Sequence, residues 1–282
     1  MVNLTHEASL LQEIEVLATN RKIQDSVGLT AQEAKSSIEK LIQIIRQRFN
    51  AARFYFNAIQ NMDSDFYLRI QNLSLTELKL EWSSASKSFV NFTDNDFHVQ
   101  INLLDNDDPT GLFENLALIV LIVLNGFFSN LVSLEDYVAE TIKIVYDLKP
   151  SDERPSYIRQ ALDNKLPKGN LISHLRAFHA VDQSGTPDKT GSVFNIAKEI
   201  RNQLTHDDID GVVVSFSAIS LSGSASAPKL HFHNSFFPTN TTPANTEMIA
   251  FCQNVYDETG NFVDECYRLI CDDLQHNGAL PV

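Results

Sequence analysis

The chain has 282 residues, 43% of them hydrophobic and 21% charged, with a formal net charge of −14. That length supplies enough apolar sequence for one large domain or two modest ones, in the composition of an ordinary soluble globular protein. The negative field disfavours a general nucleic-acid coat or a membrane-surface role, because it repels phosphate, but it leaves room for a small, locally basic cleft.

The opening "MVNLTHEASLLQEIEV" has no basic segment leading into an apolar run, so no secretory leader is expected and the reading is of a cytoplasmic protein. Residues 7 to 20 and 31 to 61 have helical patterns. In the second, Ile38, Leu41, Ile42, Ile45, Phe49, Ala52 and Phe56 keep one apolar stripe at helical spacing. Thr30 is the expected N-cap, with Glu33 three residues on as its capping-box partner. Shorter helices are expected over 63 to 92. "DFHVQINLLDNDDPTG" then holds an alternating fragment and ends in an acidic turn sequence, which places a boundary near residue 108.

Residues 112 to 147 form one long helical pattern, with Leu124, Phe128, Leu131, Val138, Ile142 and Val145 on a stripe. Its nine-residue run "LALIVLIVL" is about half the length of a membrane span, and Glu114, Asn115, Asn125 and Asn130 bound or interrupt the wider stretch. A helix buried over most of its circumference is expected there, with no membrane partner. "KPSDERP" ends it. A second helical region covers 155 to 181, interrupted by "LPKGN"; "DQSGTPDKTG" reads as a loop, and 192 to 206 as a helix. The period then changes: "GVVVSFSAISL" and "KLHFHNSF" read as two strands around a "SGSASAP" turn, a β-hairpin at about 212 to 233. Residues 245 to 275 close the chain as a helix with Met248, Phe251, Cys252, Val255, Phe262, Cys266 and Leu269 on one face. Cys252, Cys266 and Cys271 lack paired metal-type spacing, and their odd number fits reduced thiols.

The helix over 192 to 206 carries the chemistry. Val193, Ile196, Ala197, Ile200 and Leu204 form its core-facing stripe. At about 100° per residue, Arg201, Asn202, Thr205 and His206 fall on the other sides. Asn202 and His206 stack four residues apart, and His206 lies in the last turn beside Asp207 and Asp208, where the helix dipole and the carboxylates favour an imidazolium. This set can cleave RNA without a metal. Arg201 would hold the scissile phosphate with its fork of donors, and His206 would act as general base on the ribose 2′-OH or as acid on the leaving oxygen. Asn202 would orient either group. Two proton transfers want two such groups, which a second copy across a two-fold axis would supply. The competing reading is that Arg, Asn and His are the wet face of an amphipathic helix.

Other polar features carry less. "HFH" at 231 to 233 puts His231 and His233 on one strand face without a third ligand, His174 and His179 are poorly spaced for shared ligation, and "GTPDKTG" lacks phosphate-loop spacing. Arg46 and Arg53 share a stripe and either grip RNA phosphates or pair with the chain's own acids; Arg176 and Lys198 are further candidate RNA contacts. No metal and no cofactor is expected.

"RNQLTH", with Arg201, Asn202 and His206, resembles the Arg-x4-His motif of the HEPN superfamily, and its setting over roughly 112 to 275 resembles that family's third helix in a four-helix unit. The resemblance implies a mainly α fold, with a helical N-terminal region over 1 to 108 and a HEPN-like four-helix bundle with an inserted β-hairpin over 109 to 282. It implies a metal-independent endoribonuclease of the toxin or anti-phage defence type, a homodimer acting on tRNA or mRNA, with an antitoxin or sensor protein as a further partner. It also implies a supporting acid on the first helix of the unit, for which Glu135 is the candidate and Asp136 and Glu140 compete. The overall acidity departs from the family's usual basic surface and keeps a binding-only member in view.

Overall fold

The structure is a computed structural model that describes residues 6–7, 9–13, 31–71, 89–92, 96–100, 114–182, 185–189, 191–206, 214–217, 219–220, 229–232 and 247–276. These residues are mainly helical. The helices are α1 (Ala31–Gln71), α2 (Glu114–Val145), α3 (Pro155–Lys165), α4 (Asn170–Phe178), α5 (Val193–His206) and α6 (Met248–His276), with residues 9–13 helical before them. The strands are β1 (Phe89–Phe92), β2 (Asp96–Gln100), β3 (Val214–Ser217), β4 (Ile219–Ser220) and β5 (Lys229–Phe232).

Local chemistry accounts for most of these limits. α1 runs to Gln71, ten residues past the stop expected at 61, and the span 31–71 contains neither Gly nor Pro to end it. The short helices expected over 63 to 92 are therefore replaced at their start by the end of α1 and at their finish by β1. α3 opens with Pro155 at its first position, where a missing N–H costs nothing, and closes at Leu166 ahead of Pro167. Its last residue, Lys165, donates from Nζ to the Tyr146 carbonyl at 2.6 Å. The expected capping residue Thr30 and the boundary near 108 lie outside the described residues, as does 14–20 of the first helical pattern.

The chain forms two compact units. The first comprises Met1–Ala51, Asn130–Asn195 and Val255–Val282; the second comprises Ala52–Ser129 and Ile196–Asn254. Both draw residues from either side of position 108. In the first unit Ile38, Ile42 and Ile45 of α1, Leu131, Leu134, Val138 and Ile142 of α2, and Val263, Cys266 and Ile270 of α6 are buried core residues. The Phe49 ring meets Tyr256 edge-on at 5.8 Å. In the second unit Phe128, Phe232 and Phe251 form an aromatic cluster with centroids 5.5–6.3 Å apart, and Phe56 lies 6.0 Å from Phe127.

The strands belong to the second unit and make two sheets. One has the order β1-β2-β4, all neighbours antiparallel; the other pairs β3 with β5 antiparallel, Val214 opposite Phe232 and Ser217 opposite Lys229. The single strand read from "GVVVSFSAISL" is thus divided: residues 214–217 join one sheet and 219–220 the other, where Phe97 faces Ile219. Period-2 alternation marks a strand but not its partner, so sequence could not divide this one.

α2 is the most apolar helix. Its segment Ile119–Val145 is long and apolar enough to cross a membrane by length and composition, and 56% of its most apolar window is buried within the protein. Phe127, Phe128, Leu131 and Leu134 have no exposure at all, whereas Ile119 and Ile122 stand exposed at its start.

Candidate functional site

The helix that carries Arg201 is pinned at its first turn. Ser192 is the N-cap, its Oγ accepting the Asn195 N–H at 3.1 Å. Asn195 itself is buried, and its Nδ2 donates to the carbonyls of His179 at 2.8 Å and Asp188 at 2.6 Å. One amide thereby ties α5 to the end of α4 and to the loop between them. Phe194 adds a ring contact with Phe178 at 4.7 Å. The loop is held close: the Asp188 N–H donates to the Ala180 carbonyl at 3.1 Å, and a Cβ built on Gly191 would stand 2.5 Å from the Ala180 Cβ. Only glycine fits there.

Along α5, Phe194, Ile196, Ala197 and Ile200 are buried. Val193 and Leu204, expected in the same stripe, are only half-buried, and Asn195 takes a buried place that no apolar pattern marks. Arg201 and Asn202 are half-buried as well, and Thr205 is exposed, its hydroxyl donating to the Arg201 carbonyl at 2.7 Å. The Arg201 Nε is buried without a hydrogen-bond partner among the described residues. His206 is the last residue of α5, and its side chain lies outside the described residues.

The other candidates fall as follows. Glu135 is buried in the first unit, its Oε1 3.6 Å from His179 Nε2. Arg46 donates from Nε to the buried Glu7 carboxylate at 2.5 Å, so it is neutralised by the chain's own acid. Arg176 pairs with Asp163. Lys198 is half-buried, and Arg53 is exposed. His233 and the side chain of His231 lie outside the described residues, and among the described residues no group of three or more His, Cys, Asp and Glu is placed to hold a metal ion.

Three side chains had no role of their own assigned from sequence, Arg48 among them although it stands with Lys35, Lys40, Arg46 and Arg53 in the basic stretch of α1. Arg48 donates from Nη1 to Asn130 Oδ1 at 3.1 Å and from Nη2 to the Tyr137 hydroxyl at 3.4 Å. Arg159 donates from Nη2 to the Gly185 carbonyl at 3.1 Å. Asn195 is the third, and a polar residue beside Ile196 in the first turn of an amphipathic helix was its only sequence signal. A cleft of about 470 Å³ in the first unit is lined by His174, Phe178, Glu258, Asn261, Phe262, Asp264 and Glu265. There the Phe178 and Phe262 rings stack at 3.8 Å, and burial holds the His174 imidazole below its ordinary pKa. Two of its acids are engaged in ion pairs, Glu265 with Arg268 and Asp264 with His6. Comparison with protein-family models, curated proteins and solved structures returns no match.

Proposed function

We propose that the chain is a metal-independent endoribonuclease of the HEPN type, a cytoplasmic homodimer with a toxin or antiviral-defence role. The observation that carries this reading is the Arg-Asn-x3-His spacing over the final turns of α5, on a helix whose core stripe Ile196, Ala197 and Ile200 leaves Arg201 and Asn202 off the core face. In this reading the HEPN-like domain covers 109 to 282, and the β3–β5 pair is the hairpin that precedes α6 in the chain.

The chemistry follows from the side chains. His206 removes the proton of a ribose 2′-OH, the alkoxide attacks the adjacent phosphorus, and the 5′-oxygen leaves with a proton from the second His206 of the dimer. Arg201 binds the non-bridging oxygens and stabilises the charge that builds on them. Its buried Nε has no acceptor among the described residues, and a phosphate oxygen is the kind of acceptor that a guanidinium fork fits. Products then carry 2′,3′-cyclic phosphate and 5′-OH ends. Wild type incubated with total RNA and with tRNA in excess EDTA should cleave, and Arg201→Ala and His206→Ala should not. Equal cleavage by all three proteins would sink the assignment.

A second reading has its own support. The net charge of −14 and the half-covered Arg201 suit a non-catalytic HEPN-type module that binds RNA, a nucleotide or a regulatory protein such as an antitoxin or sensor. That module would bind its ligand through the same motif and leave RNA uncut with or without divalent metal.

A further inference from the structure

His179 touches α5 in two ways. Its carbonyl accepts from Asn195 Nδ2 at 2.8 Å, and its imidazole meets the Phe194 ring edge-on at 5.8 Å. Phe178 and Phe262 close on the same imidazole, also edge-on, at 5.1 and 6.0 Å. At the ring's Nε2 stands a carboxylate from another helix, that of Glu135 on α2, 3.6 Å away. Glu135 and His179 are each 8% exposed and Asn195 is 6% exposed, so the whole series from α2 to α5 is buried in the first unit.

Burying a carboxylate is costly, and an apolar side chain would fill the same space without that penalty. What the carboxylate adds is direction. Packed rings tolerate small rotations, whereas a polar group facing Nε2 selects one orientation of the imidazole. Orientation matters here because Arg201 lies six residues beyond Asn195 on one continuous helix, about 9 Å along its axis. A tilt of about 6° at the first turn moves a group that far along by about 1 Å, and misplacement on the order of 1 Å can cost roughly a hundredfold in rate.

We propose that Glu135 is a positioning residue for the α5 motif: it holds the His179 imidazole against Phe194, and through that contact it fixes the first turn of the helix that carries Arg201. Its effect on RNA cleavage rests on the nuclease reading. Its effect on α5 does not, so the two can be measured apart. The role is indirect, since a carboxylate this deeply buried acts on its neighbour and not on a substrate.

The test uses the full chain as wild type, Glu135→Gln, His179→Phe and the double variant, with Glu153→Gln, whose side chain is 84% exposed, as the control. Two readouts are taken. The first is amide hydrogen exchange at 197–201, whose N–H groups bond back to the carbonyls of the first turn of α5. The second is kcat and KM for RNA cleavage in excess EDTA. Glu135→Gln is expected to speed exchange there on the order of tenfold without an equal rise in α1, and to lower kcat roughly ten- to a hundredfold with KM changed by less than about twofold. Because the effect runs through His179, adding Glu135→Gln to His179→Phe should shift either readout by no more than about twofold. Glu135→Asp keeps the charge with a shorter reach and should fall between wild type and Glu135→Gln; it carries the test if the glutamine variant does not fold. Exchange in α5 left unchanged by Glu135→Gln, an equal rise in every helix, or full additivity with His179→Phe would overturn the proposal. Wild type that leaves RNA intact would end the nuclease reading, and the exchange readout would still decide this one.

Discussion

Asn195 holds the start of the helix that carries the candidate site, and its replacement has a calculable effect. Asn195→Ala removes two donors and leaves the carbonyls of His179 and Asp188 without them, the first in a buried setting. At about 1 kcal/mol net for each neutral hydrogen bond, with a further penalty for the stranded acceptors, the loss is roughly 2–3 kcal/mol. For a chain of this size that is a fall in Tm on the order of 5–10 °C. Asn195→Asp makes the sharper comparison. The aspartate has the same shape and, in the first turn of α5, gains about 0.3–1 kcal/mol from the helix dipole. It also points a carboxylate at two carbonyl oxygens, which repel it. The network account therefore ranks Asp below Ala at neutral pH, with the gap narrowing in acid as the carboxyl gains a proton it can donate. Thermal melts followed by circular dichroism of the three proteins decide the order. An aspartate variant as stable as wild type would mean that helix-end electrostatics govern this position and that the amide does not hold the two carbonyls.

Two further outcomes follow from named contacts. Gly191→Ala should destabilise by roughly 1–3 kcal/mol, because its Cβ would stand 2.5 Å from the Ala180 Cβ and neither methyl can rotate away; adding Ala180→Gly, at a position with φ 46°, should restore much of the loss in the same melts. His174 makes stability fall in acid: burial keeps its folded pKa below the ordinary 6.5, so the unfolded chain takes up the proton first. Its contribution is complete above 6.5 and is lost as pH drops through that value toward the folded pKa, by at most about 1.4 kcal/mol per pH unit. Urea unfolding of His174→Phe from pH 7.5 to 5 should show a shallower decline, and an unchanged slope would refute the assignment.

The long helices were legible because periodicity and breakers act locally. The stripe through Ile38, Ile42, Ile45 and Phe49 is buried, the "LPKGN" break separates α3 from α4, and α5 and α6 start within a few residues of expectation. The partition into two units was not legible, since it rests on which helices share a core, and no one-dimensional pattern carries that. The pairing of β2 with β4 across more than a hundred residues was hidden for the same reason. Arg201 and Asn202 could be named from spacing alone, but their half-burial could not. Arg46 shows the limit most plainly. Its charge read equally as a phosphate contact or an internal pair until Glu7, 39 residues away, was found against it.

The central claim is that Arg201 and His206 cut RNA through the substrate's own 2′-OH. The most direct test is the end chemistry of products formed by purified wild type in excess EDTA, read by mass spectrometry beside Arg201→Ala and His206→Ala. The account predicts 2′,3′-cyclic phosphate and 5′-OH ends from wild type and intact RNA from both variants. Products with 3′-OH and 5′-phosphate ends, or RNA left intact by wild type under every condition, would contradict it.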